Sequence, residues 1–168
     1  MKLKHPVVHG HPLHAMVSDL PAALLPTALV AAAIARADPS ARNRYLSDAS
    51  LGGGVAAAAL AGAVGWWDWL TIPDEHPAKS PATTHGLLNT AGIGAGVLAL
   101  ALPRRRLELL LGLNATLMIA AWLGGDLVYR LGWRVRPAEE LEQLDEGKSR
   151  DEARAVIEQH EREDTFVP

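Results

Sequence analysis

Apolar residues fall along this chain in long unbroken runs. Four of them stand out, at residues 19–36, 50–70, 85–102 and 107–127, each close to the roughly 20 residues a helix needs to cross a hydrocarbon core. LGGGVAAAALAGAVG and GLLNTAGIGAGVLALAL carry no charged side chain, whereas an amphipathic helix in water shows a polar face. The pattern predicts an all-α polytopic membrane protein. Four transmembrane helices form an up-down bundle with both termini on the same side, followed by a polar C-terminal tail. The expected organisation is a His-rich interfacial segment at 1–18, a transmembrane domain at 19–132 and an acidic tail at 133–168, partly helical or mobile.

The polar stretches between the runs set the expected span ends. In SDLP, Ser18 or Asp19 can accept hydrogen bonds from the first free amides, and Pro21 suits an early helical turn, so span one is expected to begin there. RADPSARNRYLSD, with Arg36, Arg42 and Arg44, reads as a loop, and PRRR at 103–106 as a tight turn on the same side. Glycines at 52, 53, 54, 62 and 65, and at 92, 94 and 96, give helices two and three small-residue faces for close packing in lipid. Six basic residues flank the spans on each side, so the positive-inside rule sets no orientation. Histidines stand where a cleavable signal would carry its apolar core, so the first span is expected to remain in place.

With 168 residues, 49% hydrophobic and 5% aromatic, the chain has the size of one helical unit plus a tail. It has no cysteine, which excludes a disulfide, a thiolate metal site and a cysteine nucleophile. The net charge of −3 conceals an asymmetry: residues 1–136 carry twelve Lys and Arg against eight Asp and Glu, residues 137–168 four against eleven. In the tail, Leu141, Leu144, Val156 and Ile157 are too sparse to build a core, so it needs a surface to lie on. Its negative charge argues against binding nucleic acid or anionic lipid and is compatible with docking on a basic partner surface. No GxSxG, HExxH or phosphate-cradling loop is present, so catalysis by this chain alone is not expected.

Four crossings place the N-terminus, the loop between spans two and three and the C-terminus on one face, where the reactive side chains concentrate. His5, His9, His11, His14 and Asp19 precede or open span one. Trp66, Trp67, Asp68 and Trp69 end span two, and His76 follows in the loop. His85 and Asn89 stand one helical turn apart at the start of span three, and Asp126, Tyr129 and Arg130 close span four. Ionisable residues at membrane depth are costly and generally face the bundle interior, where they pair, bind a ligand or relay protons. Plainer readings stand beside this one. His5, His9 and His76 suit solvated positions, the tryptophans an interfacial belt, and Asp68 and Asp126 helix caps or an ion pair with Arg130.

GHPLHAMVSDLP, GAVGWWDWLTIP, THGLLNTAG and AWLGGDLVYRLGWRV, in that order, resemble the signature segments of a bacterial family of predicted four-helix membrane proteins of unknown function. Some members of that family are fused to a Rieske iron–sulfur domain. The resemblance covers about residues 9–136 and implies a four-span fold, a bacterial inner-membrane location and association with redox chains. It carries His11, His14, Asp19, Asp68, His85, Asn89 and Asp126 onto matching positions. The family pattern's further histidines near Ser18 and Leu131 are missing here, which leaves two or three imidazoles for any site.

Three functions follow as expectations. The first is an accessory subunit of an electron-transfer or energy-converting membrane complex, packed beside lipid and other membrane subunits, with Asp68, Asp126, Tyr129 and Arg130 as a structural polar cluster. The second is a self-standing b-type haem or quinone-interacting protein, with cofactor-binding His14, His85, His11 and Asn89. The third is an interfacial divalent-metal or proton-relay site using His11, His14, His85, Asp19 and Asp68.

Overall fold

A computed structural model describes residues 4–9, 11–133, 144 and 146–166. It is an all-α architecture with one small sheet at its polar end. The helices are α1 (Leu13–Ala37), α2 (Ala41–Trp69), α3 (Lys79–Ala101), α4 (Arg106–Tyr129) and, in the tail, α5 (Arg150–Asp164). One 3-10 turn, Pro103–Arg105, leads into α4. Among the described residues three helical stretches are long and apolar enough to cross a membrane: Leu13–Ala37, Ala41–Trp69 and Pro103–Tyr129. At 23 residues α3 has comparable length, but His85, Asn89 and its threonines and glycines dilute its hydropathy.

Helix α1 begins at Leu13, directly after Pro12, so it starts earlier than a cap at Ser18 or Asp19 would allow. Ser18 lies inside the helix and its hydroxyl donates back to the His14 carbonyl at 2.6 Å. Pro21 and Pro26 are therefore interior prolines, each removing one i→i−4 bond at a cost of about 3 kcal/mol in an ordinary helix. Packing against neighbouring helices makes such interruptions tolerable in membrane bundles. At the other end, most of the stretch read as a loop between spans one and two is helical. Ser40 caps α2 by accepting from the Asn43 amide at 3.3 Å, the Asn43 side chain donates to Asp38 Oδ2 at 2.8 Å, and Arg44 donates to the Pro39 carbonyl.

Helix α1 packs along α2 and α3 along α4, and the α2–α3 and α1–α4 contacts close the ring. The driest part of the core sits at the arginine end, where Leu25, Ala28, Ala32, Leu51, Ala99, Leu110 and Leu113 meet. Gly54 makes that approach fit, since a Cβ there would stand 2.8 Å from the Leu25 side chain. Arg106 ties the same end together. Its guanidinium donates to Asp48 Oδ1 at 2.6 Å, to the buried Ser47 Oγ at 3.2 Å and to the Ala99 carbonyl at 3.3 Å. At the opposite end Ile72, Ala78 and Ala82 pack with Trp69, Leu127, Leu131 and Trp133. Val30, Ile34, Leu60, Leu87, Val97, Leu98, Leu111 and Ile119 are exposed around the outside, the distribution of a bundle whose solvent is lipid.

The termini form a feature that hydrophobic patterning does not reveal. Strand β1 (His5–Val8) pairs antiparallel with β2 (His11–Pro12) and parallel with β3 (Thr165–Phe166), in the order β2-β1-β3. Registers are Val7↔Pro12, Val8↔His11 and His5↔Thr165. His9 turns the hairpin at φ 49°, a left-handed value that histidine adopts more readily than most non-glycine residues. Part of the tail is thus packed: Ala153 and Ile157, one helical turn apart on α5, are 0% and 3% exposed. Leu144 and Val156 are half-buried, and Leu141 lies outside the described residues.

Candidate functional site

A cavity of about 920 Å³ runs between the four long helices, from the level of Pro12 and Trp133 to that of Leu29 and Asn114. Its volume falls within the roughly 300–1,000 Å³ of small-molecule and cofactor sites. Alanine, glycine, leucine and isoleucine line most of it, and the polar side chains reaching it include His14, Ser18, Asp68, His85, Asn89 and Asn114.

Each of the two hairpins contributes one imidazole in the same way. His14 on α1 places Nδ1 3.1 Å from the Ala61 carbonyl of α2, and its Cε1 would be 2.7 Å from a Cβ at Gly65. His85 on α3 places Nδ1 2.7 Å from the Ala120 carbonyl of α4, and its Cε1 would be 3.0 Å from a Cβ at Gly124. In both hairpins the carbonyl and the glycine are four residues apart, so ring and backbone meet over one helical turn. A carbonyl oxygen only accepts, so Nδ1 carries the proton in both rings; in the neutral form His14 Nε2 keeps its lone pair, and that of His85 Nε2 accepts from Asn89. That is the tautomer of a metal-ligating histidine held by a backbone carbonyl.

The ring centres stand 6.2 Å apart, with the planes at 87°. Asn89 also belongs to this group. Its Nδ2 donates to His85 Nε2 at 3.1 Å and to the His85 carbonyl at 2.9 Å.

Other residues expected at the site lie elsewhere. His11, in β2, and Asp19 are exposed and outside the cavity. Asp126 pairs with Arg130, at 2.6 and 2.5 Å, while Tyr129 is 90% exposed. Asp68 lines the cavity, and its Oδ1 stands 2.5 Å from Nδ1 of His5 and accepts from Thr71 Oγ1 at 3.4 Å. A solvated His5 is thereby corrected: it is 2% exposed, in a strand that pairs with the tail strand at Thr165. His76 is half-buried with its ring edge-on to Trp133 at 4.6 Å, and His9 is exposed. Among the described residues no three His, Asp or Glu side chains converge to hold a metal ion. Two of the tryptophans are tied to α3: Trp66 Nε1 donates to Thr90 Oγ1 at 3.1 Å and Trp69 Nε1 to Thr83 Oγ1 at 2.8 Å.

A profile of the family described as predicted membrane protein, DUF2231, matches residues 10–137. The chain belongs to this family. No curated protein and no solved structure matches it significantly. The matched stretch contains α1 to α4 and every residue lining the cavity, so the bundle and its cavity are what the family match covers. His5, α5 and β3 fall outside it, which makes the covered His5–Asp68 pair an addition at the edge of the shared unit.

The structure also adds residues that sequence reading passed over. Asn114, in the middle of α4, reaches the cavity and donates from Nδ2 to the carbonyls of Leu110 at 2.8 Å and Leu25 at 3.4 Å. A lone amide inside an apolar run was the available signal, since an intramembrane polar side chain is itself a site hypothesis. Gly65 and Gly124 carried no such signal, because a glycine that seats a ring looks in sequence like one that packs helices.

Proposed function

We propose that this protein spans the bacterial inner membrane with four helices, α3 included, and holds a b-type haem between His14 and His85. It serves as an electron-transfer subunit of a larger membrane assembly. The observation that carries this reading is the imidazole pair: ring centres 6.2 Å apart, each Nδ1 committed to a backbone carbonyl, at the wall of a cavity of cofactor size. Among the described residues no third His, Asp or Glu joins these two imidazoles to hold a metal ion, a donor set that would suit a haem iron and suits a tetrahedral zinc site poorly. Such a group would supply one-electron chemistry when bound; the chain would supply the Nε2 atoms of His14 and His85, the latter in exchange for its bond from Asn89, together with apolar walls and exclusion of water.

An absorption spectrum and iron analysis of the full-length protein, expressed with adequate haem supply and purified in detergent, tests this. A Soret band that is lost in His14→Ala and in His85→Ala is the expected result. A colourless preparation overturns the haem reading and leaves a cofactor-free accessory subunit, packed beside other spans through its exposed apolar faces.

A further inference from the structure

We infer that the same cavity takes a lipid-soluble hydroquinone and selects it, through its hydroxyl hydrogens, against the corresponding quinone. The choice of a redox-active ligand rests on the electron-transfer reading above; the selectivity rests on a census of donors and acceptors around the cavity. The Ser18 hydroxyl donates to the His14 carbonyl. Both amide hydrogens of Asn89 go to His85, and Nδ2 of Asn114 faces the carbonyls of Leu110 and Leu25. The Trp66 and Trp69 indoles donate to Thr90 and Thr83. The two carbonyls beside Asn114 fix which way its amide points, because an oxygen facing them would be repelled.

What these side chains leave to a ligand beside the imidazole pair is therefore lone pairs: Ser18 Oγ, Asn89 Oδ1, Asn114 Oδ1 and the second carboxylate oxygen of Asp68. A lining of acceptors suits a ligand that brings donors. It opposes one that brings only carbonyl oxygens, because each such oxygen would be desolvated against another lone pair.

The shape narrows the class further. From Gly124 to Asn114 the cavity follows ten residues of α4, about 15 Å at 1.5 Å per residue. Leu25, Leu29, Ala58, Ile93 and Leu117 form apolar walls over that distance, which fits an apolar ring and tail. A membrane-dissolved aromatic diol combines two O–H donors with such a body. Sites built to hydrogen-bond a hydroxyl reject analogues lacking it strongly, so the reduced carrier is favoured over the oxidised one.

Calorimetric titration of the full chain in phosphatidylcholine nanodiscs tests the inference anaerobically, with a short-tailed benzoquinol, its quinone, and empty discs as blank. The quinol is expected to bind at least about tenfold more tightly than the quinone, and Asn114→Leu to weaken the quinol by about tenfold while leaving the quinone and the Soret band unchanged. Equal or tighter quinone binding, or binding of neither, overturns the inference. The two readings fail separately. A colourless protein that still selects the quinol refutes the haem alone, and a Soret band without quinol selectivity refutes this inference alone.

Discussion

Whether two imidazoles can lie over neighbouring backbones depends on hydrogen atoms at Gly65 and Gly124. A methyl at Gly65 would stand 2.7 Å from His14 Cε1 and 2.9 Å from Nδ1, distances at which a ring wedged between helices cannot simply rotate aside. Gly65→Ala is expected to expel His14 from its bond to the Ala61 carbonyl, at a cost of about 1–3 kcal/mol from overpacking, and to abolish the Soret band. Gly124→Ala, with 3.0 Å to His85 Cε1, acts in the same direction and more mildly. Gly52→Ala is the control, since nothing lies within 4 Å of a Cβ there, and replacing a mid-helix glycine gains up to about 1 kcal/mol. Absorbance per mole of protein and melting temperature, measured on all three variants, check the ordering. A Gly65→Ala protein as stable and as coloured as the parent would mean that His14 is not fixed by that contact.

Among the elements, α5 carries its own pH dependence. Ser149 and Glu152 form a reciprocal cap: the Ser149 amide and hydroxyl donate to Glu152 Oε2 at 2.9 and 2.7 Å, and the Glu152 amide donates to Ser149 Oγ at 3.4 Å. The two bonds from Ser149 hold the Glu152 carboxyl below its ordinary value. The folded value is the lower one, so the cap's contribution is complete above the ordinary glutamate value of about 4.3 and is lost as pH falls through the folded value. Hydrogen exchange of the α5 amides is expected to accelerate in that acid window, and Ser149→Ala to remove the step. Removing residues 149–168 uncovers β1, so His5, 2% exposed in the intact chain, becomes open to an imidazole acylating reagent; unchanged labelling would show that the tail does not cover it. The four long helices were legible because lipid-facing surfaces need no polar stripe, and unbroken apolar runs betray them. The sheet was not, because strands of two to four residues pair through backbone groups whose partners lie at opposite ends of the chain. The start of α1 was misplaced because Ser18 and Asp19 look like a cap in sequence, whereas Pro12 already sets a helix-compatible φ of −57°. His14 with His85 was readable as a pair. The partnership of His5 with Asp68 was not, since it depends on how β1 folds over the end of α2.

At the scale of the whole molecule, the proposal stands or falls on α3 crossing the membrane. If α1, α2 and α4 cross but α3 lies along the surface, His85 cannot reach the Ala120 carbonyl and the cavity loses a wall. The helix gives up apolar surface to His85 and Asn89, yet both point into the bundle, where their hydrogen bonds stay within α3 and α4. Outward it presents Leu87, Val97 and Leu98, so its lipid face is apolar although its mean hydropathy is diluted. A chain without cysteine allows this to be checked by single substitutions. Asp74→Cys, at a side chain 92% exposed in the α2–α3 connection, and Arg104→Cys, exposed in the turn before α4, bracket α3. In sealed inside-out and right-side-out vesicles, a membrane-impermeant maleimide is expected to label one position in one orientation and the other in the opposite orientation. Labelling of both from the same side would place α3 outside the bilayer and separate the two imidazoles, overturning the proposed haem and hydroquinone sites together. The cavity belongs to four helices acting jointly, and no subset of them encloses it.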